Sequence, residues 1–388
     1  MINFKNKEKH KILFLLHIPP PVHGSSVVGQ AIKESHFIND DFDCQYINLL
    51  ASSTIADSGI VTPRKIVGFL GIWLKVLYSI ILRRPKLCYI ALTTSGAAFY
   101  RDLILVAVLK LFKIRHVYHL HNKGISRNQH KKINHICYNY VFKNAYVILL
   151  SKLLYSDIQN YVKESNVFIC PNGIPDIDPK LINPLEPVIH NQLSSFNAPI
   201  EILFLSNLIK SKGVYVLLEA CAILKERKIN FHCTFIGGES DVSETDFKNA
   251  TAKLNLDNEV NYVGKKFDLE KTKAFSSSQI FAFPTFYSNE CFPLVLLEAM
   301  SFGLPIVTTY EGGIPDEVIN GFNGFLVPQK NVLELASKLE VLINSAELRN
   351  KMGNAGRTKY QNEFTIEIFE NNLIQILKKI IEKNIDDK

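Results

Sequence analysis

Glu290-Cys291-Phe292-Pro293-Leu294-Val295-Leu296-Leu297-Glu298-Ala299-Met300, closed by Gly303-Leu304-Pro305, is the stretch that decides how this chain reads. It follows an apolar run, Ile280 to Pro284, that reads as a buried strand, and precedes another, Ile306 to Thr309. Pro293 suits the first turn of a helix, where its missing N–H has no partner to lose. Gly303 and Pro305 stop that helix. The spacing therefore puts Glu290 in the loop at the C-terminal end of a strand and Glu298 one to two turns into the next helix. Ligands of open α/β sheets bind at such strand ends. Ionised carboxylates there offer only acceptors, which suits the hydroxyls of a sugar and a ribose. Taken alone, the two glutamates also read as a helix-start and a solvent-face residue.

Outward from this stretch the same strand–loop–helix unit repeats. In the second half, Glu201 to Leu205 reads as a strand, Ser206 to Lys212 as a loop and Gly213 to Arg227 as a helix. Phe231 to Ile236 with Gly237-Gly238, Val260 to Val263 with Gly264, and Ile306 to Thr309 with Gly312-Gly313 continue the series. In the first half, strands are expected at Lys11 to Ile18, Asp43 to Asn48, Leu87 to Leu92, His116 to Leu120, Tyr146 to Leu150 and Val167 to Cys170, with helices from about Val27, over Tyr100 to Phe112 and after Ser151. Strands alternating with helices mean a parallel, doubly wound sheet. From Pro171-Asn172-Gly173 to Pro199 the chain is rich in Pro, Asn and Asp and reads as a linker. The expectation is an α/β chain of two Rossmann-like domains, residues 1–172 and 200–364, joined by 173–199. The tail from Thr365 to Ile381 has helical periodicity and reads as a terminal helix with one buried face, packed back on the first domain.

The 388 residues, 47% of them apolar, suffice for two full cores. Seven scattered cysteines without CxxC spacing argue for a reducing compartment and against a disulfide framework or zinc site. The short apolar run Ile12 to Ile18 carries His17 and meets Pro19-Pro20-Pro21, which reads against a signal peptide. Ile66 to Leu82 is apolar except for Lys75 and is flanked by Arg64-Lys65 and Arg83-Arg84. Its 17 residues fall short of the ~20 that span a bilayer, so it reads as a buried or surface-lying helix. Up to Leu185 there are 23 basic and 11 acidic residues, and beyond it 21 and 26. A basic N-terminal half suits an anionic partner, either membrane headgroups or a phosphorylated acceptor. Nucleic acid is not expected, because no reading motif accompanies the charge.

Several other positions are candidates for chemistry. Lys212, beside a helix start, can cradle a phosphate as a point charge next to free N–H groups. Gly24, in the turn Pro19-Pro20-Pro21-Val22-His23-Gly24, permits close approach of an anion to backbone, but no GxGxxG is present, which counts against a dinucleotide enzyme. His119 and His121 alternate onto one side of their strand, next to Asn122. They lack a third ligand at metal spacing, so they read as core residues or substrate contacts. Asp40-Asp41-Phe42-Asp43 and Asp176-Ile177-Asp178 read as surface turns.

Together, "ECFPLVLLEAMSFGLPIV" (290–307), "SNLIKSKGVYVLLEA" (206–220), "PNGI" (171–174), "EGGIPDEVINGFNGFLVP" (311–328), "HLHN" (119–122) and "PPPVHG" (19–24) resemble the group 1 (family 4) retaining glycosyltransferases. The resemblance is strongest from Pro171 to Pro328. It implies GT-B architecture, two such domains facing a cleft, with the final helix crossing back to the first domain. It also implies hexosyl transfer with retention from a nucleoside-diphosphate sugar to a saccharide or lipid-linked acceptor in cell-surface polysaccharide or lipopolysaccharide synthesis, with no cofactor and no metal. Cytoplasmic placement, peripheral on the inner face of the plasma membrane, follows from it together with the basic half.

The resemblance implies roles as well. Lys212 neutralises the diphosphate, Glu298 holds the ribose hydroxyls, and Glu290 contacts the sugar or its phosphate. His121 approaches the sugar from the first domain, Gly24 lets its loop close on the phosphates, and Gly312 and Gly313 leave room beside the donor. Asn207, Gly264, Cys291, Phe292 and Leu294 line the donor side, and His23, His119 and Asn122 the acceptor side. Two positions depart from the family. Ser206-Asn207 stands where Gly-Arg is usual, so one of two cations on the diphosphate is missing. Pro293 replaces a Gly and removes a backbone N–H. These departures motivate a rival reading, a catalytically silent sugar-nucleotide or membrane-binding module of the same fold.

Overall fold

The computed structural model describes residues 9–50, 63–177 and 198–383. Most of the expected linker, 178–197, and the polar loop 51–62 lie outside the described residues. The chain divides into two compact units, Met1–Gly173 with Ile366–Lys388, and Ile174–Thr365.

The first unit holds a six-stranded sheet of β1 (His10–Leu16), β2 (Phe42–Asn48), β3 (Leu87–Leu92), β4 (His116–Leu120), β5 (Tyr146–Leu149) and β6 (Val167–Ile169), in the order β2-β1-β3-β4-β5-β6. Every pairing is parallel. Strands covered on both faces have no side to leave polar, and all six residues of Leu87–Leu92 are accordingly buried. Right-handed crossovers put the helix Gly24–Glu34, between β1 and β2, on one face. The helices Pro63–Tyr78, Gly96–Leu111 and Lys132–Phe142 lie on the other, because their connections run the opposite way across the sheet. The last helix, Ile366–Glu382, buries Phe369, Leu373, Ile374, Leu377, Ile380 and Ile381 in this unit. Arg115 Nη1 donates to the carbonyls of Ile380 at 2.6 Å and Ile381 at 2.8 Å, satisfying acceptors a helix end leaves open.

The second unit holds β7 (Ile200–Leu205), β8 (Phe231–Ile236), β9 (Val260–Tyr262), β10 (Ile280–Phe283), β11 (Ile306–Thr309) and β12 (Gly324–Val327), in the order β12-β11-β10-β7-β8-β9, again all parallel. The order reverses between β7 and β10. That switch point is where a doubly wound sheet opens a crevice for a ligand. The loops after β7 and β10 carry Lys212 and Glu290 respectively.

Local differences from the sequence reading have identifiable causes. The first helix begins at Gly24 rather than Val27, because His23 and Ser26 form a reciprocal capping box. Ser151 caps a 3₁₀ segment, Lys152–Asp157, rather than an α-helix. The apolar helix changes at Tyr78 to a π turn, Ser79–Arg83. Pro293 is the N-cap of Leu294–Ser301 and not its first helical residue. Its ψ of 114° is extended, and its carbonyl accepts the first intrahelical bond from Leu296 N at 3.0 Å. Among the described residues, no helix is long and apolar enough to cross a membrane.

Candidate functional site

Lys212 ends a 3₁₀ turn, Lys210–Lys212, just after β7. The turn is pinned to the loop after β10, where Phe286 N donates to Ser211 O at 2.7 Å. Gly213 follows with φ +94°, and a Cβ there would lie 2.3 Å from Pro284 O. Only glycine allows that approach and that backbone together. The two loops are thus held in backbone contact, and the result is an ion pair. Lys212 Nζ donates to Glu290 Oε2, with 15% and 10% of the two side chains exposed. The ammonium also lies 4.8 Å from the Tyr287 ring centroid and 5.3 Å from that of Phe283. Aromatic faces and one carboxylate hold this cation at the switch point of the sheet.

Glu298, two turns along, is paired differently. Lys271, on the helix Asp268–Ser277, donates to Glu298 Oε1 at 2.6 Å. The sequence reading missed Lys271, because its partner is 27 residues away and nothing local marks it. Cys291 and Phe292 point inward, 3% and 5% exposed, and Phe292 meets Phe364 edge-on at 5.7 Å. What these two residues can offer a ligand is backbone. Leu294 is half-buried.

The glycine pair at 312–313 serves the loop itself. Gly312 has φ +55°, and a Cβ there would lie 2.3 Å from Glu290 O, while Gly313 N donates to Cys291 O at 2.6 Å. The bare α-carbon of Gly312 is thus what lets this turn pack on the backbone of Glu290 and Cys291. Asn207 is used structurally, its Oδ1 accepting from Gly238 N at 3.2 Å. That bond joins the loops after β7 and β8. Gly264 faces open space, and its carbonyl accepts from Gly237 N at 3.0 Å.

In the first unit the strand ends bring histidines together. His119 and His121 lie with ring centroids 4.2 Å apart. His119 has no exposed surface, and its Nδ1 is 2.5 Å from the Tyr89 hydroxyl, which makes it a core residue and not a face for an acceptor. His17, which the sequence reading did not select, bonds through Nδ1 to Ser25 Oγ at 2.8 Å and lies 5.9 Å, ring to ring, from His23. Burial first, then the fields of His17 and His23, push the His121 pKa down to about 3. His17 is also pushed down to about 3, by burial and then by Arg101 and His23. Burial alone lowers His23. These rings are neutral at neutral pH and can donate or accept one hydrogen bond per nitrogen. His23 spends its Nδ1 on Ser26 N at 3.3 Å, and Asn122 Oδ1 accepts from Thr94 N at 3.3 Å. At Gly24 a Cβ would meet nothing within 4 Å. Among the described residues, no three His, Cys, Asp or Glu are grouped to hold a metal.

Residues 186–359 match the family model of group 1 glycosyl transferases. This part of the chain is similar to the group 1 glycosyl transferases. The match contains Lys212, Lys271, Glu290, Glu298 and the Gly312-Gly313 turn. Among similar proteins, the capsular polysaccharide biosynthesis glycosyltransferase CapM of Staphylococcus aureus is 30% identical over 189 residues, 48% of this chain and 47% of that protein. The amylovoran biosynthesis glycosyltransferase AmsK of Erwinia amylovora is 32% identical over 190 residues, 48% of this chain and 46% of that protein. The chain thus spans about half the length of the curated relatives it matches. Solved structures share the whole fold. Anabaena Alr3699/HepE in complex with UDP superposes with a TM-score of 0.73 at 20% identity, over 95% of this chain and all of that one. WaaG, a glycosyltransferase involved in lipopolysaccharide biosynthesis, superposes with a TM-score of 0.65 at 14% identity, over 96% of this chain and all of that one. The two-sheet α/β fold is GT-B, as expected.

Proposed function

We propose that the chain transfers a hexosyl-type sugar, with retention, from a nucleoside-diphosphate sugar to a saccharide or lipid-linked acceptor in cell-surface polysaccharide synthesis. The observation that carries this reading is the Lys212 ammonium, held by Glu290 at the switch point of the unit that contains the family match. Loss of a nucleoside diphosphate builds negative charge on the leaving oxygens as the sugar becomes oxocarbenium-like. Lys212 and the unspent N–H groups at the start of Val214–Glu226 are preorganised for that charge, which is where such groups contribute most. Glu298, oriented by Lys271, accepts from the ribose hydroxyls. On this reading Lys212 and the helix-start N–H groups meet the diphosphate's charge, and no metal or cofactor is called on. CapM and AmsK, named for capsule and amylovoran synthesis, support the class of product.

The acceptor side of the proposal involves a membrane. Leu70, Leu74, Tyr78, Ile81 and Leu82 are all more than half exposed and recur along one face of the helix and its π turn. Lys75, Arg83 and Arg84 lie among them or at their end. An apolar stripe with cations at its edge suits an anionic bilayer, where the chain would sit peripherally on the cytoplasmic face. Flotation with anionic vesicles should be salt-sensitive and weakened by Leu74→Ser with Leu82→Ser, and unchanged flotation of that variant rejects this face.

The activity itself is tested by calorimetry against nucleoside diphosphates and their sugars, followed by transfer to a saccharide acceptor and determination of the product anomer. An inverted product rejects retention. The rival reading, a catalytically silent module, is favoured by Asn207, whose amide oxygen is spent on Gly238 where the family usually has a second cation. Transfer or hydrolysis of any sugar nucleotide excludes it.

A further inference from the structure

The ion pairs described above leave the second unit's strand ends without surplus positive charge. Lys212 is neutralised by Glu290, and Lys271 by Glu298. A diphosphate brings more than one negative charge, and taking it out of water beside two neutral pairs is unfavourable. Asn207, where the resembled family has a second cation, supplies none. Lys210, Lys265 and Lys330 follow strands of this unit and pair with no carboxylate among the described residues. Lys210 has its own N–H bonded to Asp241 Oδ1 at 2.7 Å, so a carboxylate already stands against it. Lys330 follows β12, the far edge strand, and lies 4.6 Å from the centroid of the Phe286 ring. Lys265 follows β9 and is exposed, with its ammonium 5.1 Å from the centroid of Phe267, a ring itself 54% exposed.

Backbone contacts fix where the Lys265 stem runs. The loop after β7 holds both polar groups of Gly238: its N–H donates to Asn207 Oδ1 at 3.2 Å, and its carbonyl accepts from Leu208 N at 2.7 Å. The loop after β9 is tied to the same segment, since Gly237 N donates to Gly264 O at 3.0 Å and the Tyr262 hydroxyl to Gly237 O at 2.8 Å. A Cβ on Gly238 would lie 3.3 Å from Asn207 Oδ1 and 3.7 Å from Lys265 Cδ. The Asn207 amide and the Lys265 stem therefore close on the same bare α-carbon. The lysine passes beside the residue whose charge is missing. Glu239, next in the chain, spends its carboxylate on Glu244 N at 3.0 Å.

We propose that Lys265 is this chain's second diphosphate-binding cation: its ammonium leaves the Phe267 ring for the phosphate oxygens and replaces the charge absent at Asn207. This rests on reading Lys212 as the diphosphate's first cation. An aromatic face at an exposed site holds an ammonium weakly, and a phosphate oxygen offers a charge-assisted hydrogen bond in its place. A lysine suits the task because its charge sits on a long flexible stem, and here the lower part of that stem is already placed against Gly238.

The test uses the full chain and whichever of UDP, GDP or ADP it binds most tightly by calorimetry, with the matching nucleoside measured as a competitor. Lys265→Met keeps an apolar stem against Gly238 and loses the charge. It should bind the diphosphate about tenfold more weakly, the effect of one lost hydrogen bond to a charged group, and the nucleoside within about twofold of wild type. Its diphosphate affinity should also fall less steeply with added salt, because one screened attraction has gone. Lys265→Arg, which keeps the charge, should bind within about threefold of wild type, and Lys210→Met and Lys330→Met within about twofold. Wild-type diphosphate binding by Lys265→Met, or equal weakening of the nucleoside, overturns the proposal. So does a loss of the same size in Lys265→Arg, Lys210→Met or Lys330→Met. If Lys212→Ala weakens diphosphate binding while Lys265→Met does not, the proposal alone fails. If Lys212→Ala binds like wild type, or wild type binds none of the three nucleotides, the reading of Lys212 fails and the proposal with it.

Discussion

Lys271 Nζ lies 2.6 Å from Glu298 Oε1 and ties the helix Asp268–Ser277 to the helix Leu294–Ser301. Both side chains are partly exposed, at 32% and 24%, so the pair stabilises the fold by no more than about 1 kcal/mol. What the pair fixes is direction. With one oxygen of Glu298 held by Lys271, the orientation of the other is fixed, and on the proposed reading that oxygen meets the ribose hydroxyls.

Lys271→Met should therefore leave Tm within a degree or two and weaken binding of the preferred nucleoside diphosphate roughly three- to fivefold, the equivalent of a partly exposed ion pair. Glu298→Gln should abolish the preference for the ribonucleotide over its 2′-deoxy counterpart, and Lys271→Met should only reduce it. Calorimetry with both nucleotides measures this. An undiminished ribose preference in Glu298→Gln removes Glu298 from the ribose.

The Lys212–Glu290 pair supports a second expectation. If Lys212 is the cation that meets the leaving diphosphate, as proposed, Lys212→Ala should cut turnover roughly 10²-fold or more. Glu290→Gln leaves the ammonium among Phe283 and Tyr287 without its carboxylate and should also lower turnover. Because the two groups form one unit, the double variant should be far less impaired than the product of the single effects. Steady-state rates of the four proteins close the cycle, and simple multiplicativity would show that the pair does not act as a unit.

Residues such as these differ in how far the sequence discloses them. The strands are legible because parallel strands covered on both faces are nearly continuous apolar runs. Leu87–Leu92, His116–Leu120, Phe231–Ile236 and Ile306–Thr309 occur over the residues expected. Glu290, Glu298 and Lys212 stand out because strand ends are where such sheets bind ligands. Lys271 does not, since a lysine in a polar helix looks like any solvated lysine until Glu298 is placed beside it. His17 lies in a strand-end run noted only for its shortness. In each case the missing information is a long-range contact, which local pattern does not encode.

Two glycines separate a folding role from a binding role. Gly312→Ala would place a methyl group 2.3 Å from Glu290 O at φ +55°. Left-handed backbone and overpacking together cost about 2–4 kcal/mol, which should lower Tm by roughly 4–16 °C. Gly24 opens a helix and would point its Cβ into open space, so Gly24→Ala should hold or raise Tm. If its loop receives the phosphates, Gly24→Ala should still weaken nucleotide-sugar binding. Melting curves and calorimetry on the two variants separate these effects, and equal melting losses would contradict the packing described here.

Two histidines with lowered pKa values predict an acid limit. His17 and His121 are held to about 3, mainly by burial, against 6.5 in an unfolded chain. Between those values the unfolded state binds more protons, so stability rises with pH there. The contribution is complete above 6.5 and is lost as pH falls toward 3, at up to about 1.4 kcal/mol per pH unit for each histidine. His17→Gln keeps a polar partner for Ser25 and cannot titrate, so its Tm should fall less steeply than that of wild type between pH 6.5 and 4. Parallel Tm–pH curves would show that His17 takes up a proton without resistance from the fold. The same neutrality bears on catalysis. With His121 already uncharged at pH 7, kcat/KM should show no inflection from its protonation between pH 8 and 5. An inflection near pH 6.5 that disappears in His121→Asn would show that its surroundings do not hold that ring neutral.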